Sequence, residues 1–152
     1  MKIIVFSDSH RSFAPMMQAM EKEGNPQYII HAGDVLQDVE DLKIMYPTHN
    51  IIYIKGNNDI WDRETPDDRF FELGGVKIFL THGHNYGVKY TTAKLKQHAA
   101  ELGAQVCIFG HTHKPLNEND GRMILLNPGS AVQTYGVLEI DDGIFYSKIC
   151  EI

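Results

Sequence analysis

Lys2-Ile3-Ile4-Val5-Phe6-Ser7 runs straight into Asp8-Ser9-His10. A continuous β-branched and aromatic run marks a strand buried on both faces, as in parallel sheets. From Ser12 to Glu23 the chain reads as a helix, with Phe13, Met16, Met17 and Met20 packing on one face. Ser12 is placed to cap it and Gly24-Asn25-Pro26 to stop it. Tyr28-Ile29-Ile30-His31 is a second short strand, ending in Ala32-Gly33-Asp34. Val35 to Tyr46 reads as a helix closed by Pro47, and Asn50 to Lys55 as a third strand. The order β-α-β-α-β implies parallel strands joined by right-handed helical crossovers.

Beyond it the pattern changes. Arg69 to Leu73 and Val76 to Thr81 are apolar strands joined by Gly74-Gly75, a hairpin signal. Tyr90 to Leu102 places Leu95, Ala99 and Leu102 on one helical face, and Gly103 ends it. Val106 to Phe109, Met123 to Leu126, Thr134 to Ile140 and Ile144 to Ile149 read as further strands. Asn127-Pro128-Gly129 and Asp141-Asp142-Gly143 supply turns between them. The expectation is one α/β domain over residues 1–152, with mixed sheets between helices and a strand order left open.

Composition narrows the function. The 152 residues carry 20 acids against 14 Lys and Arg, a formal charge of −6. No basic patch gathers, so a long nucleic acid is not an expected partner. There is no run of about 18 apolar residues, so no membrane span is expected. The opening apolar run is too short for a signal sequence. Cys107 and Cys150 sit in strand-like surroundings and read as reduced core thiols. A cytoplasmic address is the resulting expectation, and apolar edge strands admit a homo-oligomer.

Each strand end carries polar side chains suited to a metal. The ends are Asp8-Ser9-His10, Gly33-Asp34, Gly56-Asn57-Asn58-Asp59, Thr81-His82-Gly83-His84 and Gly110-His111-Thr112-His113. In an open α/β sheet the carboxyl ends of the strands form the ligand crevice, so residues far apart in sequence meet there. Residues i and i+2 leaving a strand share a side, which lets Asp8 and His10 hold one cation. His111 and His113 can share a site or straddle two. The glycines at 33, 56, 83 and 110 are expected to let the backbone turn tightly there. Imidazole, carboxylate and amide oxygen, without thiolate, suit Mn, Fe, Zn, Co or Ni. Two carboxylates, Asp8 and Asp34, leave a formal charge of about +2 beside two divalent ions, room for an anionic phosphate.

As an ordered set, these five motifs resemble those of the calcineurin-like metallophosphoesterases, closest to their compact bacterial and archaeal phosphodiesterase branch. The resemblance covers nearly the whole chain. It implies a four-layer αββα sandwich: two mixed β-sheets packed face to face and flanked by helices. It also implies two divalent metal ions, manganese foremost, with nickel, cobalt, iron or zinc as alternatives. Asp8, His10 and His113 would take one ion, and Asn57, His82 and His111 the other, with Asp34 bridging. The implied reaction is hydrolysis of a small phosphate-ester substrate, most readily a diester. A hydroxide shared by ions roughly 3.5–4 Å apart would attack in line.

One position departs from the family pattern. Many members carry a His after the ligand Asn, able to protonate the leaving group, and this chain has Asn58 there. An amide is no acid at neutral pH, so Asn58 is left to donate a hydrogen bond to a phosphate oxygen. His84 is the candidate substitute, and acidic leaving groups such as aryl esters are the expected preference. Asp59 is a candidate for orienting the ligands, and His31 for a hydrogen-bonded core role. His49 and His98 read as solvated. Arg11 serves either as a phosphate clamp or as a surface residue, and Trp61 with the acidic 62–68 loop is a candidate border of the substrate site. The competing reading is a catalytically weak or inactive protein-interaction scaffold on the same fold.

Overall fold

A computed structural model describes residues 1–152. The first half contains β1 (Lys2–Phe6), α1 (Phe13–Lys22), β2 (Tyr28–His31), α2 (Leu36–Met45), β3 (Asn50–Tyr53), β4 (Asp68–Leu73) and β5 (Val76–Thr81). After a 3-10 turn at His84–Tyr86 come α3 (Ala93–Leu102), β6 (Val106–Ile108), β7 (Leu116–Asn119), β8 (Ile124–Asn127), β9 (Thr134–Asp141) and β10 (Ile144–Glu151).

The strands form two mixed five-stranded sheets, ordered β10-β9-β1-β2-β3 and β4-β5-β6-β8-β7. Within them β1-β2-β3 and β5-β6-β8 are parallel. The period of two along each buried strand explains the stacking. Ile3 and Val5 face Ile78, Leu80, Val106 and Ile108 in the layer between the sheets. The intervening Ile4 and Phe6 face Met16, Ala19, Met20 and Leu42 of α1 and α2. On the far side Phe79, Cys107 and Phe109 pack against Leu95 and Ala99 of α3. Three apolar layers therefore hold a four-layer αββα sandwich, the fold implied by the sequence motifs.

The local differences have physical causes. Ser12 makes no side-chain cap on α1. Pro15, at the third helical position, lacks the N–H that such a cap would engage. β7, unexpected from the sequence, is the polar segment Leu-Asn-Glu-Asn paired only with β8 at a sheet edge, where periodicity carries little signal. His49 packs edge-on against Tyr46 with both ring nitrogens buried, and so is not solvated. His98 shares the inner face of α3 with Leu95, its ring 5.3 Å from Phe79 and 5.4 Å from Tyr86.

Candidate metal centre

The five motif-bearing strand ends, those of β1, β2, β3, β5 and β6, are all carboxyl ends of parallel strands from both sheets. Their loops converge on Asp8, which is fully buried. Its Oδ2 accepts hydrogen bonds from Ser7 Oγ at 2.6 Å and the His111 amide at 3.0 Å. Its Oδ1 has no hydrogen-bond partner at all. Around that oxygen stand His113 Nε2 at 3.3 Å, His82 Nε2 at 3.7 Å and His10 Nε2 at 3.8 Å. A buried carboxylate oxygen without a donor costs about 1–3 kcal/mol unless something positive faces it.

Asp8, His10 and His113 form one group whose ligand atoms lie within reach of a common cation. Their imidazoles face each other at 3.2 Å between Nε2 atoms. Asp8, Asp34 and His82 form a second such group. His82 Nδ1–H donates to the Ala32 carbonyl at 2.7 Å, which leaves the Nε2 lone pair turned inward. Asn57 Oδ1 lies 3.0 Å from His82 Nε2 and 3.0 Å from His111 Nδ1. Burial first, then the positive fields of His82, Lys89 and His84, lower the His111 imidazole to about 4, so it is neutral at physiological pH. Burial also raises the Asp8 carboxyl against the opposing pull of His82, Ser7 and His113. Lone pairs and carboxylates directed at one another, with no proton between many of them, fit a divalent cation.

All seven motif residues singled out in the sequence thus come together. Asp8 is common to the two groups above, and Asp34 joins it in the second. Asp34 is held by Asn58, whose backbone N–H donates to Oδ1 at 3.0 Å and whose Nδ2 donates to Oδ2 at 2.6 Å. Asn58 therefore uses its amide on a carboxylate of the centre. His84 opens the 3-10 turn with its ring 5.5 Å from His82 and 6.0 Å from His111, its Nδ1 buried and unpartnered. Burial and then His82 push its imidazole below the usual range.

Two of the four motif glycines matter for space and not for turning. Gly56 and Gly110 do not adopt positive φ. A Cβ on Gly110 would overlap Ser7 Oγ and Asp8 Oδ2, and one on Gly56 would overlap the Asp34 carboxylate. Gly33 and Gly83 do turn the chain as expected, with φ of 94° and 104°, and the left-handed region is also taken by the polar residues themselves: Asp8, His10, Asp34, His111 and His113 have φ of 51°, 44°, 51°, 68° and 61°. Such conformations cost about 1–3 kcal/mol each and persist where the surroundings over-determine them.

Two supporting networks lie behind the centre. Asp59, fully buried, accepts from the amides of Gly56 at 2.8 Å, Asp34 at 3.2 Å and Leu36 at 2.9 Å. It thus ties two motif loops together and caps α2 from outside that helix, as its proposed orienting role requires. The second network starts at His31, whose Nδ1 accepts from Gly33 N–H and whose Nε2–H donates to Ser9 Oγ at 3.0 Å. Ser9 Oγ donates to Asp38 Oδ2 at 2.6 Å, which also accepts from the Arg11 amide at 2.8 Å. Burial and His82 push His31 down to about 3, so it stays neutral. Ser7, Ser9 and Asp38 escaped the sequence reading because short hydroxyls and a helical Asp carry no spacing signal. Trp61 is 62% exposed.

Residues 1–143 match the calcineurin-like phosphoesterase superfamily domain. A Bacillus subtilis protein described as a probable metallophosphoesterase is 30% identical, over 93% of this chain and 86% of its own. A phosphodiesterase of Methanocaldococcus jannaschii is 28% identical, over 93% of this chain and 94% of its own. A Streptococcus pneumoniae crystal structure, described as a predicted phosphoesterase, shares the fold with a TM-score of 0.80 and 31% identity, over 99% of this chain and 88% of that one.

Proposed function

This chain belongs to the calcineurin-like phosphoesterase superfamily, and from that premise we propose that it hydrolyses small phosphate diesters with two divalent ions. The observation that carries the reading is Asp8 Oδ1, buried, without a donor and ringed by three imidazoles. Asp8, His10 and His113 would hold one ion, and Asn57, His82 and His111 the other, with Asp34 between them. Such ions supply Lewis acidity, lowering the pKa of a water and polarising the phosphoryl oxygens.

The remaining work falls to the chain itself. Ser7 and the His111 amide fix the Asp8 carboxylate, and Ala32 fixes the His82 tautomer. Asn58 orients Asp34 and is spent there, so it offers no proton to the leaving group. His84 is the group left to donate a hydrogen bond to the departing oxygen. Being neutral it is a weak donor of protons, which favours acidic leaving groups such as aryl oxides.

Metal-free protein would receive Mn, Ni, Co, Zn or Mg in turn and meet aryl monoesters, aryl diesters and nucleotides, with metal uptake measured by elemental analysis. Aryl diesters should turn over fastest with Mn, and Asp34→Asn should lose about 10³-fold or more. No uptake and no turnover would replace the enzyme with the interaction scaffold. The same screen on His84→Ala should show about a 10²-fold loss that narrows as the leaving group becomes more acidic. A rate and pH profile equal to the parent would remove His84 from the reaction.

A further inference from the structure

Beside the His111–His113 loop lies a groove of about 550 Å³. Its floor is apolar, from Val88, Phe109 and Leu116, and its polar walls include Lys89, Thr92 and Lys114. Val88 and Phe109 are buried against α3, so the floor is part of the core and does not yield. The loop is equally fixed: Asn127 Nδ2 donates to the Gly110 carbonyl at 3.1 Å and to Thr112 Oγ1 at 3.0 Å. The Lys114 amide donates to the same Thr112 hydroxyl at 3.2 Å, which anchors the base of that lysine directly after His113.

Charge distribution makes this groove unusual. The chain carries a formal charge of −6, yet the groove is lined by two lysines and no carboxylate. Thr112 and Lys114 of its lining flank His113 in the loop that carries His111 and His113, and its size lies in the range that accommodates small organic ligands. A simple aryl arm would use the apolar floor and gain nothing from the two exposed ammonium groups. A sugar phosphate would use the lysines and leave the floor wet. A nucleoside phosphate uses both surfaces.

We propose that the groove is the subsite for one arm of the substrate, and that this arm is a nucleotide. The base lies against Leu116 and Pro115, with the core residues Val88 and Phe109 behind them, and a further phosphate pairs with Lys89 and Lys114. The proposal rests on the diesterase reading above and supplies its substrate class.

Binding and turnover separate the two. Metal-free protein would be titrated calorimetrically with adenosine 3′,5′-bisphosphate, adenosine and ribose 5-phosphate. The bisphosphate should bind at least about tenfold more tightly than either fragment, a difference of about 1.4 kcal/mol. The preference should weaken with added salt and vanish in the Lys89→Ala/Lys114→Ala double variant. Both lysines are exposed, so the variant should keep the parent's melting temperature, and Lys22→Ala, far from the groove, should bind as the parent does. Equal affinities for the three ligands, or a double variant that binds the bisphosphate like the parent, would overturn the proposal. With metal-loaded protein, the p-nitrophenyl ester of thymidine 5′-phosphate would be compared with the same ester bearing a 3′-phosphate. A roughly tenfold higher kcat/KM for the second, lost in the double variant, is expected. Turnover of both at one rate would sink the subsite while the diesterase stands. Turnover of neither would sink the diesterase, and the calorimetry would still decide whether the groove takes a nucleotide.

Discussion

Asp8→Asn should give a protein that is more stable without metal than the parent and loses about 10³-fold or more of its diester hydrolysis. Asp8 is fully buried, and one of its carboxylate oxygens faces three imidazoles with no donor. An amide of the same shape removes the charge, keeps an acceptor for Ser7 and the His111 amide, and presents NH₂ to the ring nitrogens. The backbone accepts the change, since Asp8 has φ of 51° and Asn tolerates that region. The gain should be about 1–3 kcal/mol, the cost of an unpartnered buried polar atom. For a chain of this length that is roughly 2–12 °C in Tm.

The pH dependence gives the prediction its sign. Burial holds the Asp8 carboxyl above its ordinary 3.8. Between that value and the raised one, the folded state keeps a proton the unfolded state has lost, so stability falls as pH rises through the window. The penalty is complete once the pH has passed the raised value, and the advantage of Asn should disappear below about pH 4. Calorimetric melting of both proteins without metal, across pH 3.5–7.5, checks it. A variant that is no more stable than the parent at pH 7, or that still takes up the parent's full complement of Mn, would refute the role given to Asp8.

Asp59→Ala should have the opposite character, damaging fold and centre together. Three amides, those of Asp34, Leu36 and Gly56, would lose a shared buried carboxylate. Each orphaned donor costs about 1–3 kcal/mol, and because they share one acceptor the total should be about 3–5 kcal/mol. The loops bearing Asp34 and Asn57 would also lose the tie that orients them, so metal affinity should fall about 10–100-fold. Asp59→Asn, which retains one acceptor oxygen, should lie between. Urea denaturation and a Mn titration measure the two effects separately. A loss under about 1 kcal/mol with unchanged affinity would show that Asp59 only fills space.

Legibility followed the physical range of each signal. The apolar runs at 2–6 and 28–31, alternating with helical segments, marked parallel strands because two-sided burial leaves few polar positions, whereas 76–81 was legible only as a hairpin strand and its parallel pairing with β6 was not. The centre was readable for the same reason, since topology gathers the carboxyl ends of parallel strands whatever their separation in sequence. The cap on α2 was not readable. Asp34 stands where a local cap would be sought, yet the carboxylate that serves Leu36 comes from Asp59. The roles of Gly56 and Gly110 were misjudged as turning, because the space they leave is occupied by side chains from other loops. β7 and the half-buried setting of His98 depended on contacts with other segments and left no local pattern.

From the chain alone came the alternation of strands and helices, the five polar strand ends and the donor chemistry they offer, while the four layers and the set of seven ligands came through the family resemblance those motifs carry. The former follow from side-chain periodicity and residue type, which act over a few positions. Only the folded arrangement decided that Asp8 is the unpartnered carboxylate, that Asn58 is engaged with Asp34, and that two lysines share an apolar groove beside the centre. Such facts concern which groups remain without a partner after every other contact is made, and that remainder exists only once the two sheets have closed on each other.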